Sequence, residues 1–124
     1  MKIKLLLLGV LILILASCGS SQRVGKTGAA KSARQLVTLS DEQQRKYDYF
    51  FLEATRLKGK KEYDAAFDLL KHCLTINPQA ASALYEISQY YMFLKQVPQG
   101  QAALEEAVES APDNYWYSQA LASL

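Results

Sequence analysis

Two cysteines and one histidine are the first residues to weigh for covalent, metal or acid–base chemistry in this 124-residue chain. Cys18 closes Leu15-Ala16-Ser17-Cys18, behind an apolar run from Leu5 to Leu15 and the lysines Lys2 and Lys4. A charged start, an apolar middle and a small-residue exit are the three parts of a secretory signal. At about 1.5 Å per residue this run falls well short of a bilayer core of about 30 Å, so a lone transmembrane helix is the weaker reading. Cys73 follows His72, but adjacent helix residues point about 100° apart and do not form a ready nucleophile–base pair. Cys73 instead lies in an apolar helical pattern, where a free cysteine behaves as a small hydrophobe. A reactive thiol would need exposure and a lowered pKa.

A single histidine provides no cluster for zinc. Gly25-Lys26-Thr27-Gly28 contains a Gly-Lys-Thr string. It lacks the upstream glycine, the preceding strand and the following helix of a phosphate loop. Neither a Gly-x-Ser-x-Gly nor a His-Glu-x-x-His motif occurs. Asp64, Asp68, Glu105 and Glu106 lie opposite the apolar stripes, where solvated charge is the default. The expectation is a protein that is not an enzyme and carries no metal or dissociable cofactor.

Leu15-Ala16-Ser17-Cys18 resembles the lipobox of bacterial lipoproteins. The resemblance implies that residues 1–17 are removed and that Cys18 becomes a diacylated N-terminus. The covalent acyl lipid on Cys18 would then be the one non-protein group. Gly19, where an Asp is absent, fits outer-membrane sorting in many Gram-negative bacteria, with the chain facing the periplasm.

Without Lys2 and Lys4 the chain holds 12 basic and 12 acidic residues. No global field recruits nucleic acid. The charge is uneven, because Arg23, Lys26, Lys31 and Arg34 stand in a stretch with no acid, while residues from Asp41 onward are net negative. A basic tether beside lipid could rest on anionic headgroups, and a solvated linker is the plainer reading.

The elements that position anything further begin after this tether. Residues 18–39 are rich in Gly, Ser, Lys and Ala, a composition that reads as flexible. An ordered domain is expected over 40–124. Ser40 suits an N-cap, Asp41 and Glu42 suit the positive end of a helix, and Gln43 completes a capping box. A helical pattern then runs to about Lys58, through Tyr47, Phe50, Phe51, Ala54 and Leu57, with Gly59 as a stop. A second runs from about Lys61 to Ile76, through Tyr63, Ala66, Phe67, Leu70, Cys73 and Leu74. A third covers about Gln79 to Lys95. A fourth has Pro98 in its first turn and ends before Pro112, and a fifth opens near Asn114 and still runs at Leu124. No stretch alternates with period two, so the fold class is all-α.

Pro78 and Pro112 are 34 residues apart. That period divides the domain into units 47–80 and 81–114, with a third opening at 115. Phe50 matches Leu84, Ala54 matches Ser88, and Leu57 matches Tyr91. Ala66 matches Gly100, Leu70 matches Leu104, and Cys73 matches Ala107. Small residues let two helices approach closely while large ones fill the grooves beside the crossing. On these residues the chain resembles tetratricopeptide repeat lipoproteins, the resemblance covering about 47–124. It implies helical hairpins stacked as a short right-handed solenoid. It departs from the family at Phe50 and Leu84, where Trp is frequent, and at Val97, which stands where Tyr63 stands in the first unit.

In this family the first helices of successive units line a concave face that holds peptide segments. By register these positions are Asp48, Phe51, Thr55 and Lys58, then Ser82, Tyr85, Gln89, Met92 and Phe93, then Trp116, Gln119 and Ser123. Tyr85, Gln89 and Phe93 share one helix face. Packing of Tyr85, Met92 and Phe93 against a neighbouring helix is the competing expectation. Lys58 alone does not make a carboxylate clamp. The expected partners are other envelope proteins at the groove and the membrane at Cys18. The expected role is an adaptor in envelope assembly or secretion. The alternative is an accessory, positioning fragment of a larger envelope enzyme or transport complex. Tyr115, Trp116, Leu121 and Leu124 are left without a capping helix, so further repeats or self-association are expected to cover them.

Overall fold

The computed structural model describes residues 36–124, and the signal segment, Cys18 and most of the tether lie outside them. Five helices follow an extended start: α1 Asp41–Gly59, α2 Tyr63–Ile76, α3 Ala81–Phe93, α4 Val97–Ser110 and α5 Tyr115–Ala122. Among the described residues there is no strand. No helix there is long and apolar enough to cross a membrane.

α1 begins at the expected capping box. Ser40 Oγ accepts from the Gln43 N–H at 3.2 Å, and Gln43 Oε1 accepts from the Ser40 N–H at 2.9 Å. Two of the otherwise orphaned donors at the helix start are thereby satisfied. α1 packs against α2 and α3 against α4, with lighter contacts of α2 on α3 and α4 on α5. This is the pattern of stacked helical hairpins.

The small residues at the crossings are buried as the packing requires. Ala54, Ala66, Cys73, Ser88, Gly100 and Ala107 are all buried, with Leu70 and Leu104 beside them. At Gly100 the space between α3 and α4 is filled by Met92, and an added Cβ would lie 2.8 Å from Met92 Cε. Leu84, Leu104 and Ala107 form a second cluster, which Tyr85, Tyr117, Ala120 and Leu121 pack against.

The 34-residue period is written into the backbone as well. Glu62 N–H donates to Leu57 O at 3.0 Å, and one unit later Gln96 N–H donates to Tyr91 O at 2.8 Å. Asn77 N–H donates to Cys73 O at 2.9 Å, and Ala111 N–H to Ala107 O at 3.0 Å.

Several boundaries differ from expectation, among them both ends of α3, which spans Ala81–Phe93 rather than about Gln79 to Lys95. Gly59 is the last helical residue of α1 rather than the residue that turns the chain out of it, and the left-handed residue of the turn is Lys61, with φ 65°. Its counterpart one unit on is Lys95, with φ 61°. α2 therefore starts at Tyr63, because Lys61 in the left-handed region cannot be helical. α5 does not continue to Leu124. Ser123 caps it, and the Ser123 hydroxyl donates to Ala120 O at 2.7 Å.

Candidate functional site

The first helices of the hairpins lie side by side. Tyr47 on α1 is hydrogen-bonded through its hydroxyl to Ser82 Oγ on α3 at 2.9 Å. Towards the other end of α1, Lys58 Nζ meets Glu86 Oε2 on α3 at 2.6 Å. Tyr85 on α3 stacks on Tyr117 of α5, with ring centroids 4.9 Å apart. These side chains join α1, α3 and α5 into one face.

The residues predicted for this face divide into two groups. Phe51 is half-buried and stacks on Tyr47 at 5.9 Å, within the main core. Tyr85 is covered by α5, and Met92 lies against Gly100 of α4. Ser82 is half-buried and held by Tyr47. Ser82, Tyr85 and Met92 serve contacts between helices, the competing expectation for Tyr85 and Met92, while Phe51 packs on the core beside Tyr47 of its own helix. The second group is open to solvent. Asp48 accepts from Gln44 Nε2 at 2.8 Å, and Thr55 donates to Phe51 O at 2.9 Å. Gln89 is exposed and donates to Ser88 Oγ at 3.3 Å. Phe93 is 76% exposed and Trp116 72%. Gln119 accepts from the Tyr115 hydroxyl at 3.1 Å.

Lys58, Gln89 and Phe93 converge. With Tyr63 and Tyr90 they line an open cup of about 220 Å³ between α1, α2 and α3. Tyr63 packs edge-on against Tyr90, with centroids 6.4 Å apart, and Phe67 backs Tyr90 at 5.7 Å. The Tyr90 hydroxyl is buried with no hydrogen-bond partner. Burial pushes the Tyr90 phenol above its ordinary pKa, while hydrogen bonding to Glu86 holds the Lys58 ammonium above its own.

Tyr63 and Tyr90 were not among the predicted site residues. Tyr63 stood in the apolar stripe of α2, and Tyr90 was indistinguishable from any buried ring of α3. The one available signal was that a tyrosine, unlike a phenylalanine, brings a hydroxyl that a core must satisfy.

A second hollow, of about 390 Å³, lies between α2, α3 and α4, with Leu74, Tyr91 and Ala103 in its walls. Neither of the two buried unpartnered hydroxyls, Tyr90 and Ser110, lines it. Elsewhere the Cys73 thiol points at Tyr47 O, at 3.9 Å, and burial pushes its pKa up to about 11. It is a protonated packing group at neutral pH.

The 34-residue period in hydrogen bonds and buried small residues has a counterpart in known proteins. A family model described as Tetratricopeptide repeat matches residues 57–124. The chain belongs to the tetratricopeptide repeat family. The match takes in the end of α1 and all of α2 to α5, so it includes every residue of the cup. No curated protein matches the chain. Tetratricopeptide repeats point to a scaffold for protein–protein interaction.

Proposed function

We propose that this tetratricopeptide repeat protein is a lipid-anchored scaffold of a bacterial envelope. Acyl chains on Cys18 hold it at a membrane, with the outer membrane facing the periplasm as the site that Gly19 favours. Its α1–α3–α5 face takes a peptide segment or helix of another envelope protein, as an adaptor in envelope assembly or secretion. The observation that carries the reading is the convergence of Lys58, Gln89 and Phe93 on one open cup. Three positions assigned by register alone meet at a place with apolar walls, an amide and an ammonium. Apolar anchors with a few polar groups are what recognition of a peptide requires.

The test has two independent parts. Cys18→Ser should move the protein from the membrane pellet to the soluble envelope fraction, and retention in the pellet would remove the lipid anchor. Photo-crosslinkers placed at Gln89 and Asp48 in cells should give a discrete adduct that a crosslinker at Asp68, on the outer side of α2, does not. Equal adducts from all three positions would refute a binding face.

A further inference from the structure

Among the described residues, Lys61 and Lys95 are the only ones other than glycine in left-handed backbone. An L-residue is strained there and glycine is not. Equivalent turns of both hairpins nonetheless carry lysine. Strain kept at the same place twice asks what the side chain does.

The lysines of the repeat domain fall into two groups. Lys46, Lys58 and Lys71 each meet a carboxylate, of Glu42, Glu86 and Asp68 respectively. Lys60, Lys61 and Lys95 are exposed and enter no ion pair among the described residues. All three belong to the turns after α1 and α3. These turns stand at one edge of the domain, since Tyr63 after the first and Phe93 before the second line the same cup. Glu62 and Asp64, the acids of this edge, stand at the positive end of α2, which offsets their charge.

The same edge is apolar. Tyr63, Phe93, Leu94 and Val97 are between 45% and 76% exposed. A folded partner would need a hollow shaped to side chains that project in this way, whereas a bilayer interface closes round them. Lysine suits that setting, because its stem lies along apolar surface while the ammonium stays at headgroup level. Tyrosine suits it too, with an apolar ring and a polar tip.

We infer that the edge formed by the α1–α2 and α3–α4 turns rests on an anionic lipid surface. Phe93, Leu94 and Val97 enter the headgroup region, and Lys60, Lys61 and Lys95 meet the phosphates. The inference rests on the reading of Cys18 as a lipid anchor, which brings a membrane within reach, and adds the side of the repeat domain that meets it. Phe93 belongs to both the edge and the cup, so a segment held at the cup would lie beside the bilayer.

The probes are vesicles of phosphatidylcholine alone or with about one-third phosphatidylglycerol, sedimented with the full chain carrying Cys18→Ser. The Leu5–Leu15 run and the basic residues of 23–34 are common to every variant, so each is compared with that parent. Binding to the anionic vesicles should exceed binding to the neutral ones and weaken as salt is raised. Lys61→Gly with Lys95→Gly should lower the anionic-vesicle affinity about 25-fold, about fivefold for each lysine, while the melting temperature is unchanged or higher. Lys61→Arg with Lys95→Arg should retain the affinity, because the charge remains. Lys46→Gln with Lys71→Gln removes the same charge farther along α1 and α2, and should lower the affinity less than about twofold. Phe93→Ala, at an exposed position, should weaken binding to both vesicles by about tenfold.

Unchanged affinity in the chain with both glycine substitutions would overturn the inference and leave residues 23–34 as the lipid contact. An equal loss from Lys46→Gln with Lys71→Gln would overturn it too, by reducing the effect to net charge. Absence of vesicle binding by the parent would do the same, and a discrete protein adduct from a crosslinker at Leu94 would then assign the edge to a protein partner. The intact mass of the native chain reads the anchor separately. A chain without acyl groups that still binds through Lys61 and Lys95 refutes the anchor only, and an acylated chain whose turn variant binds unchanged refutes the edge only.

Discussion

In the first hairpin, α1 buries three of its 19 residues, Tyr47, Ala54 and Leu57. In the second, α3 buries five of its 13, Ala83, Leu84, Ile87, Ser88 and Tyr90. The two helices occupy the same register of the repeat, yet they are held by different means. α1 has a full capping box at Ser40 and Gln43, acids in its first turn and bases in its last. α3 has no side-chain cap and no charge of the favourable sign at either end. It has neighbours instead: α1, α2, α4 and α5 all touch it. A repeat sequence therefore sets the hairpin skeleton, and position in the stack decides whether local or tertiary terms stabilise each helix.

The largest expected effects lie in the shared skeleton, where the hairpins should behave alike. Leu70 and Leu104 hold the same position in successive units and are 3% and 1% exposed. Leu70→Ala and Leu104→Ala should each cost about 2–5 kcal/mol in urea unfolding, through lost transfer energy and a residual cavity. A cost below about 1 kcal/mol at either would mean that its hairpin is not packed like the other.

The hairpins should part at alkaline pH. Cys73 and Ala107 are equivalent, but only Cys73 ionises. Its folded pKa is raised to about 11 by burial, from an ordinary value of 9.0. The unfolded chain thus gives up this proton at lower pH than the folded one. Stability is intact below about pH 9 and falls as pH rises towards 11. Burial raises Tyr47, Tyr90 and Tyr117 too, which extends the loss above their ordinary value of 10.0. Cys73→Ala should flatten the slope of stability between pH 9 and 10, measured by urea midpoints, while the decline above pH 10 remains. An unchanged slope would mean that the thiol is free to ionise in the folded state.

Caps provide the next test of the comparison. Ser40→Ala should cost about 1 kcal/mol, since α1 relies on local terms. Asn114→Ala should cost a similar amount, because Asn114 Oδ1 accepts from the Trp116 and Tyr117 N–H groups and α5 buries no residue fully. Melting curves followed by circular dichroism would report both. If Ser40→Ala is silent, α1 is held by its contacts with α2 and α3 after all.

What could be read in the sequence followed short-range rules. The capping box, the helix starts at Pro98 and Asn114, and the small–large alternation at the crossings depend on residues within one or two turns. They appear where periodicity places them. The face was harder. Register put Tyr85, Gln89, Met92 and Phe93 together, but α5 stacks on Tyr85 and α4 takes Met92. One helical turn separates a residue that packs from one that faces solvent, and neighbours one and two elements further along the chain decide between them. Tyr63 and Tyr90 were missed for the same reason, since a ring in an apolar stripe gives no sign that its hydroxyl will end beside a cup. Cys18 and most of the tether lie outside the described residues.

The smallest effect concerns the two turns, where the expected glycine is not the residue that turns. Lys61 and Lys95 both adopt left-handed backbone, at equivalent places after α1 and α3. Their N–H groups donate to Lys58 O and Met92 O, each at 3.0 Å, so the conformation is fixed by the end of each helix. An L-residue with a Cβ is strained there by about 1 kcal/mol, while glycine is not. Glycine also loses more freedom on folding, which offsets part of the relief. Lys61→Gly and Lys95→Gly should therefore each stabilise by a few tenths to about 1 kcal/mol. Gly59, by contrast, is helical with open space around its would-be Cβ. Gly59→Ala should stabilise by a similar amount through the opposite logic, by restricting the unfolded chain. Moving the glycine from 59 to 61 should then add the two gains. Lys61 and Lys95 lie two residues from Tyr63 and Phe93 in the chain, so unchanged crosslinking at Gln89 in these variants would show that the turns hold the helices without shaping the cup.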